Sequence, residues 1–160
     1  MFSKQLKRQQ QPRSQQHLYL SLARNPAEVA EAQRLRYKVF AEEMGAELPN
    51  NNGLDIDGFD EFCDHLLVRE SGTHQVVGTY RILSPQQADE AGGYYSAGEF
   101  DLSRINHLFD RTVEVGRACV HQKFRNGGTI TMLWAGLAKY MQMHHYDHMI
   151  GCASVPMNDG

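Results

Sequence analysis

Apolar and polar positions along the chain change period several times, and each change marks an element. His17 to Arg24 alternates, with Leu18, Leu20 and Leu22 on one side, as a strand does. Asn25, Pro26 and Glu28 then form a helix start: a side chain able to accept an early amide, a proline with no amide to leave unpaired, and a box-like glutamate. Val29, Ala32, Leu35, Val39 and Phe40 recur at helical spacing, which predicts a helix to about Met44 with Gly45 as its stop. Glu47 to Asp64 is acidic and turn-rich, hence loop. His65–Glu70 and Gln75–Leu83 flank Ser-Gly-Thr-His, a hairpin signature. A loop follows from Ser84 to about Gly98, with a helical turn around Gln86–Ala91. Thr112–His121 reads as a strand in which Gly116 suggests a bulge or a close backbone approach. After the loop QKFRNGG, Thr129–His144 carries Ile130, Leu133, Trp134, Leu137, Tyr140 and Met141 on an amphipathic helix, and His148–Ser154 reads as a last buried strand. The predicted order is β, α, β, β, β, α, β, with no internal repeat.

Composition narrows the class. A chain of 160 residues with 41% hydrophobic and 22% charged residues suits one globular domain. Met1 to Gln16 contains six glutamines, four basic residues and no acid, so 1–16 is expected to be a flexible polar tail, solvated or touching an acidic carrier protein or anionic lipid. No apolar run approaches the roughly 20 residues that would span a bilayer, which makes the cytoplasm the expected location, with peripheral contact at the inner membrane left open. A net charge of −3 argues against nucleic acid as a partner. The three cysteines, Cys63, Cys119 and Cys152, are too scattered for a disulfide framework or a metal knuckle, and the strand cysteines read as core residues. His144 and His148 have zinc-compatible spacing, but imidazolium at a helix C-terminus is the simpler reading; no metal site is expected.

The loop before the last helix has the most chemical content. Glycines let several amides converge, and the helix adds its positive end, so Arg125, Asn126, Gly127, Gly128 and Thr129 could hold a phosphate. The segment Arg125-Asn126-Gly127-Gly128-Thr129-Ile130 resembles the pyrophosphate loop of GNAT acetyltransferases in its first four positions. Ile130 departs from the small sixth residue, which is compatible with the single phosphate of carrier-protein phosphopantetheine. Further motifs are Arg36-x3-Phe40, Asp57-x2-Asp60, CDHLLV from Cys63, Gly78-Thr79-Tyr80-Arg81 and Glu114-Val115-Gly116-Arg117. These resemble acyl-homoserine lactone synthases and, more closely, the hemolysin-like ornithine acyl carrier protein N-acyltransferases, over roughly residues 17–155.

The resemblance implies an α/β (α+β) GNAT fold, a mixed and mostly antiparallel sheet flanked by helices, over residues 17–160. It implies no permanently bound cofactor. An acyl-phosphopantetheine thioester, on acyl carrier protein or coenzyme A, would be co-substrate, and the amine of an amino acid such as ornithine the acceptor. Glu114 would act as base, directly or through water, with Arg117 beside it; a purely structural Glu114–Arg117 pair is the competing assignment. The substrate-binding set would be Asp57, Asp60, Asp64, Arg36 and Arg81, with the three aspartates drawing in a cationic amine; Arg36, Arg81 and Arg117 with Asp57, Asp60 and Glu114 would form a semi-buried ionic network that shapes the site, and the two readings are compatible. Direct transfer would need an oxyanion held by amides near Gly116 and no covalent intermediate. Met132, Trp134, Met141 and Met143 read as core or as the edge of an acyl-chain tunnel. The alternatives are an acyl-homoserine lactone synthase using S-adenosylmethionine and a non-catalytic fragment binding acyl carrier protein. A GNAT domain continues past its fifth strand with a helix and two more strands. Because this sequence stops at Pro156–Gly160, the last strands are expected to be missing, another chain could complete the sheet, and stability and activity in isolation should be impaired.

Overall fold

A computed structural model of the chain describes residues 17–49 and 52–153. The expected tail at 1–16 and the terminus at 156–160 lie outside the described residues. Strand β1 (Leu18–Leu22) leads into helix α1 (Pro26–Tyr37) through the anticipated cap: Asn25 Oδ1 accepts from Glu28 N at 3.0 Å. The Glu28 carboxylate turns back to Arg24 N at 2.8 Å, one residue earlier than a reciprocal capping box requires. The helix does not reach Met44 in α form. Lys38–Glu43 is a π-helical segment, a widened turn that often borders functional sites, and Gly45 follows it with φ 73°.

Strands β2 (Asp64–Glu70) and β3 (Val76–Leu83) form the hairpin. The next connection holds α2 (Pro85–Ala91), which Ser84 and Gln87 close with a full capping box, a short α3 (Ser96–Glu99) and a 3-10 segment over Ser103–Arg111. Strand β4 (Thr112–Val120), a 3-10 turn at Gln122–Phe124, helix α4 (Gly128–His144) and strand β5 (His148–Ile150) complete the described chain. The sheet order is β1-β2-β3-β4-β5, antiparallel throughout except for the parallel β4–β5 pair.

Successive strand residues face opposite ways, so the two helices cover opposite faces of the sheet. Leu66 and Val68 pack with Leu133, Leu137 and Tyr140 of α4, whereas Leu67 packs with Ala32, Leu35 and Val39 beside α1. Two glycines bring α4 close. A Cβ on Gly78 would lie 2.6 Å from Thr129 Cγ2, and one on Gly136 would lie 2.7 Å from Leu20 Cδ2. That seating corrects the expected apolar face of α4: Leu133, Leu137 and Tyr140 are buried, but Trp134 is 65% and Ile130 37% exposed. No helix among the described residues is long and apolar enough to cross a membrane.

Candidate active site

The charged motifs converge where α1, the 52–64 loop and the middle of the sheet meet. Arg36 is 1% exposed. Its Nε donates to Asp55 Oδ2 at 2.9 Å, and NH1 and NH2 donate to the two oxygens of Asp60 at 3.0 and 2.6 Å. It also donates to the Asp55 carbonyl, which ties the loop to the helix. Arg81 NH1 bridges Asp57 Oδ1 at 2.6 Å and Asp60 Oδ1 at 2.8 Å, and Gln33 Nε2 donates to Asp60 Oδ2 at 3.0 Å. Arg117 stands further off, 3.7 Å from Asp55 and 3.6 Å from Asp57. Asp55, which the motif reading passed over, therefore completes a balanced set of arginines 36, 81 and 117 with aspartates 55, 57 and 60.

Burial alone would raise the Asp60 pKa, but hydrogen bonds and charge from Arg36, then Arg81, lower it to about 2. Asp57 is lowered for the same reason: its own burial opposes ionisation and Arg81 overcomes it. Arg81 is raised, since the bonds from Asp57 and Asp60 exceed the cost of its burial. A carboxylate whose folded pKa lies below its unfolded value contributes stability that is complete above that unfolded value and disappears as pH falls through the folded one. Thermal unfolding midpoints are therefore expected to be level at neutral pH and to fall between pH 4 and about 2, with Asp60→Asn flattening that limb. Wild-type midpoints that stay level down to about pH 2 would contradict the assignment.

Asp64 does not join this cluster. Alternation along β2 turns it to the other face, where Tyr140 Oη donates to Asp64 Oδ2 at 2.7 Å. His65 points toward the cluster: Nε2 lies 3.0 Å from the Asp60 carbonyl and so carries the proton, while Nδ1 is buried without a partner among the described residues. Burial lowers the pKa of His65 and keeps it neutral. His144 stacks against Tyr146 and tilts over Tyr140 at the end of α4.

Beside the cluster runs a cleft of about 1110 Å³, lined from one side by β4 and from the other by 149–153. Its cause is the end of strand pairing. β4 and β5 are in register from Thr112↔His148 to Glu114↔Ile150, Gly151 still lies against Val115, where a Cβ would sit 2.6 Å from the carbonyl oxygen, and beyond this contact Gly116–Val120 and Cys152–Ala153 line the cleft. The expected bulge is present one residue later than Gly116. Register shifts between Thr79↔Cys119 and Arg81↔Gly116, and Arg117 adopts φ 52°.

Glu114 lines the cleft at the fork but does not pair with Arg117. Its oxygens accept from Tyr95 N and Ser96 N, each at 2.7 Å, and from the Ser96 hydroxyl. Ser96 Oγ lies 3.3 Å from Cys152 Sγ. Neither Ser96 nor Tyr95 was visible as a site residue, because their link to Glu114 bridges 18 and 19 positions. Cys152 is exposed in the cleft rather than in the core; Cys63 and Cys119 are shielded, and burial pushes both thiols up to about 12.

Among the phosphate-loop residues, Arg125 lines the cleft, with Nε on the Val120 carbonyl at 3.0 Å and NH2 on Glu43 at 2.5 Å. Asn126, Gly127, Gly128 and Thr129 lie outside the lining. Gly127 takes φ 89° at the start of α4, Asn126 Oδ1 accepts from Gly128 N at 3.2 Å, and the buried Thr129 donates to the Phe124 carbonyl at 3.1 Å. Met132, Trp134, Met141 and Met143 are not among the cleft residues, so the tunnel reading of α4 is set aside.

A five-stranded mixed sheet that forks after its fourth strand, with helices on both faces, defines a class. A family model described as an acetyltransferase (GNAT) domain matches residues 35–135, and the chain belongs to this family. Within it, the chain is 43% identical over 145 residues to an L-ornithine N(alpha)-acyltransferase of Agrobacterium fabrum, an alignment covering 84% of this chain and 50% of that protein. The enzyme of the same name from Rhizobium meliloti is 41% identical over 150 residues, 88% of this chain and 51% of that one. The chain thus spans about half the length of these curated relatives. Among solved structures, the acyl-homoserine lactone synthase LasI matches with a TM-score of 0.61 and 23% identity, covering 85% of this chain and 72% of that one. FeeM, an N-acyl amino acid synthase from uncultured soil microbes, matches with a TM-score of 0.63 and 16% identity, covering 84% and 70%. These two share the fold.

Proposed function

We propose that the chain carries the acyl-transfer site of an L-ornithine N-acyltransferase, which moves a 3-hydroxy fatty acyl group from acyl carrier protein to the α-amine and so makes a lyso-ornithine lipid. The observation that carries this reading is the cleft beyond the paired part of β4 and β5, which Glu114, Arg81 and Arg117 all line. The ornithine acyltransferases at 41 and 43% identity favour ornithine as acceptor. A thioester arm lies along β4 in the cleft, with its phosphate toward Arg125, and with coenzyme A as the alternative carrier. The neutral amine attacks the thioester carbonyl, the C–N bond forms, the C–S bond breaks, and the thiolate leaves. In this reading, backbone amides near Gly116 and the bulge stabilise the oxyanion. Glu114 takes the amine proton through its remaining acceptor position or a water.

Incubation of the chain with 3-hydroxyacyl carrier protein or acyl-coenzyme A and L-ornithine, read by mass spectrometry, is expected to give the N-acyl amino acid. S-adenosylmethionine in place of ornithine is expected to give none. Acyl-homoserine lactone from the second mixture, or no product from either donor with ornithine, would overturn the reading.

A further inference from the structure

Arg117 differs from its neighbours in the ionic cluster. Arg36 and Arg81 meet their carboxylates at 2.6–3.0 Å and are nearly buried. Arg117 approaches Asp55 and Asp57 no closer than 3.6 Å, keeps 32% of its side chain exposed, and lines the cleft. Its backbone is held at φ 52°, a conformation unfavourable for a residue with a Cβ, within the irregular stretch where the β3–β4 register shifts. The guanidinium carbon sits 5.8 Å from the centre of the Phe40 ring, on the π-helical segment, and its contacts to Asp55 and Asp57 are, among the described residues, longer than hydrogen bonds. A cation so placed has unspent hydrogen-bonding capacity next to the reacting position.

We infer that Arg117 is the anchor for the α-carboxylate of the amino-acid acceptor, an inference that rests on the acyl-transfer reading above. A guanidinium fork matches a carboxylate with two parallel bonds. In an α-amino acid the nucleophilic nitrogen is two bonds from the carboxylate carbon, so the residue that holds the carboxylate also places the amine. Arg117 and Glu114 line the same cleft, so an acceptor anchored by the one has its amine in the space that the proposed base faces. The exchange is electrostatically balanced. Asp57 Oδ1 is held by Arg81 and by Phe59 N, whereas among the described residues Oδ2 has the long contact to Arg117 alone. A substrate carboxylate that takes over Arg117 frees that oxygen for a cationic side-chain amine. Asp57 lines a second cavity of about 620 Å³, and Cys63 lines both, so carboxylate and side-chain ammonium would be read from the two sides of one ion pair.

The test is equilibrium binding by calorimetry of L-ornithine, L-ornithinamide and 1,4-diaminobutane to the full chain and to Arg117→Gln and Arg117→Lys, with thermal melts to check folding. The wild type is expected to prefer ornithine by about 10-fold or more over the two ligands without a carboxylate, and Arg117→Gln to bind all three within about 2-fold of one another, as loss of a two-pronged charged contact requires. Arg117→Lys, a point charge without the fork, should retain part of the preference. Should Arg117→Gln unfold, the wild type and Arg117→Lys decide. Equal wild-type affinity for ornithine and ornithinamide, with acyl transfer to both, overturns the carboxylate anchor and leaves the acyl-transfer reading standing. Absence of both binding and transfer with all three ligands overturns the two together.

Discussion

Replacement of Arg36 by methionine is expected to lower the thermal unfolding midpoint by about 10 °C, because removing one partner of a buried ionic set costs about 3–5 kcal/mol and each kcal/mol moves a domain of this size by about 2–4 °C. Arg36 is 1% exposed and bonds Asp55 and Asp60, themselves 3% and 6% exposed. Methionine fills most of the volume but leaves two carboxylates in a low-dielectric site, where among the described residues Arg81, the Gln33 amide and the distant Arg117 remain to answer them. It also releases the 52–64 loop, which Arg36 ties to α1 through the Asp55 carbonyl. Arg36→Lys restores charge without the fork and should recover part of the loss. A methionine variant melting within 2 °C of wild type, as distinct from the roughly 10 °C expected from an uncompensated buried charge, would show that the cluster does not stabilise the fold.

The largest effect on activity is expected at Glu114. A carboxylate offers about four acceptor positions and no donor. Tyr95 N, Ser96 N and the Ser96 hydroxyl take three of them, which orients the group and leaves one directed at an incoming amine or water. Glutamine removes the basic oxygen and sets an NH2 group against backbone amides. Glu114→Gln is therefore expected to lower kcat for acyl transfer by about 100-fold or more, the ordinary contribution of a positioned general base. Ser96→Ala keeps the carboxylate and both amide donors, and its loss should be smaller. Transfer by Glu114→Gln at the wild-type rate would remove the base assignment. A shift in the pH–rate profile on Ser96→Ala, without a matching drop in melting temperature, would show that the hydroxyl tunes the carboxylate rather than merely filling space.

These two residues also show how far sequence reading reaches. Arg36 and Asp60 are visible as members of spaced motifs, but Asp55 is not, since nothing in LDID distinguishes the aspartate that will be buried from the one left half open. Glu114 stands out on a strong strand. Its real partners, Tyr95 and Ser96 at the start of a four-residue helix, do not, and Arg117, the partner that spacing suggested, faces Asp55 and Asp57 instead. Trp134 is misread for a related reason. Helical spacing offers two candidate faces on α4, and the choice depends on Gly78, Gly136 and Thr129, which allow the helix to sit closest along one of them. Asp64, one residue before His65, goes to the opposite face because strand period is two, an outcome that follows only once the strand is seen to begin at Asp64.

What the sequence alone determined is local: the Asn25 and Pro26 helix start, the stop at Gly45, the hairpin at Ser71–His74, the strand over Thr112–Val120 and the glycine turn before α4. Each depends on hydrogen bonds and torsions among residues a few positions apart, and a side chain's capacity for these is written in its own chemistry. The tertiary structure alone decided which carboxylate meets which arginine, where β4 and β5 part, and which wall Glu114 and Arg117 present to the cleft. Charge attracts every opposite charge alike, and only the burial of particular faces against the sheet selects one pairing from the many that the motifs permit.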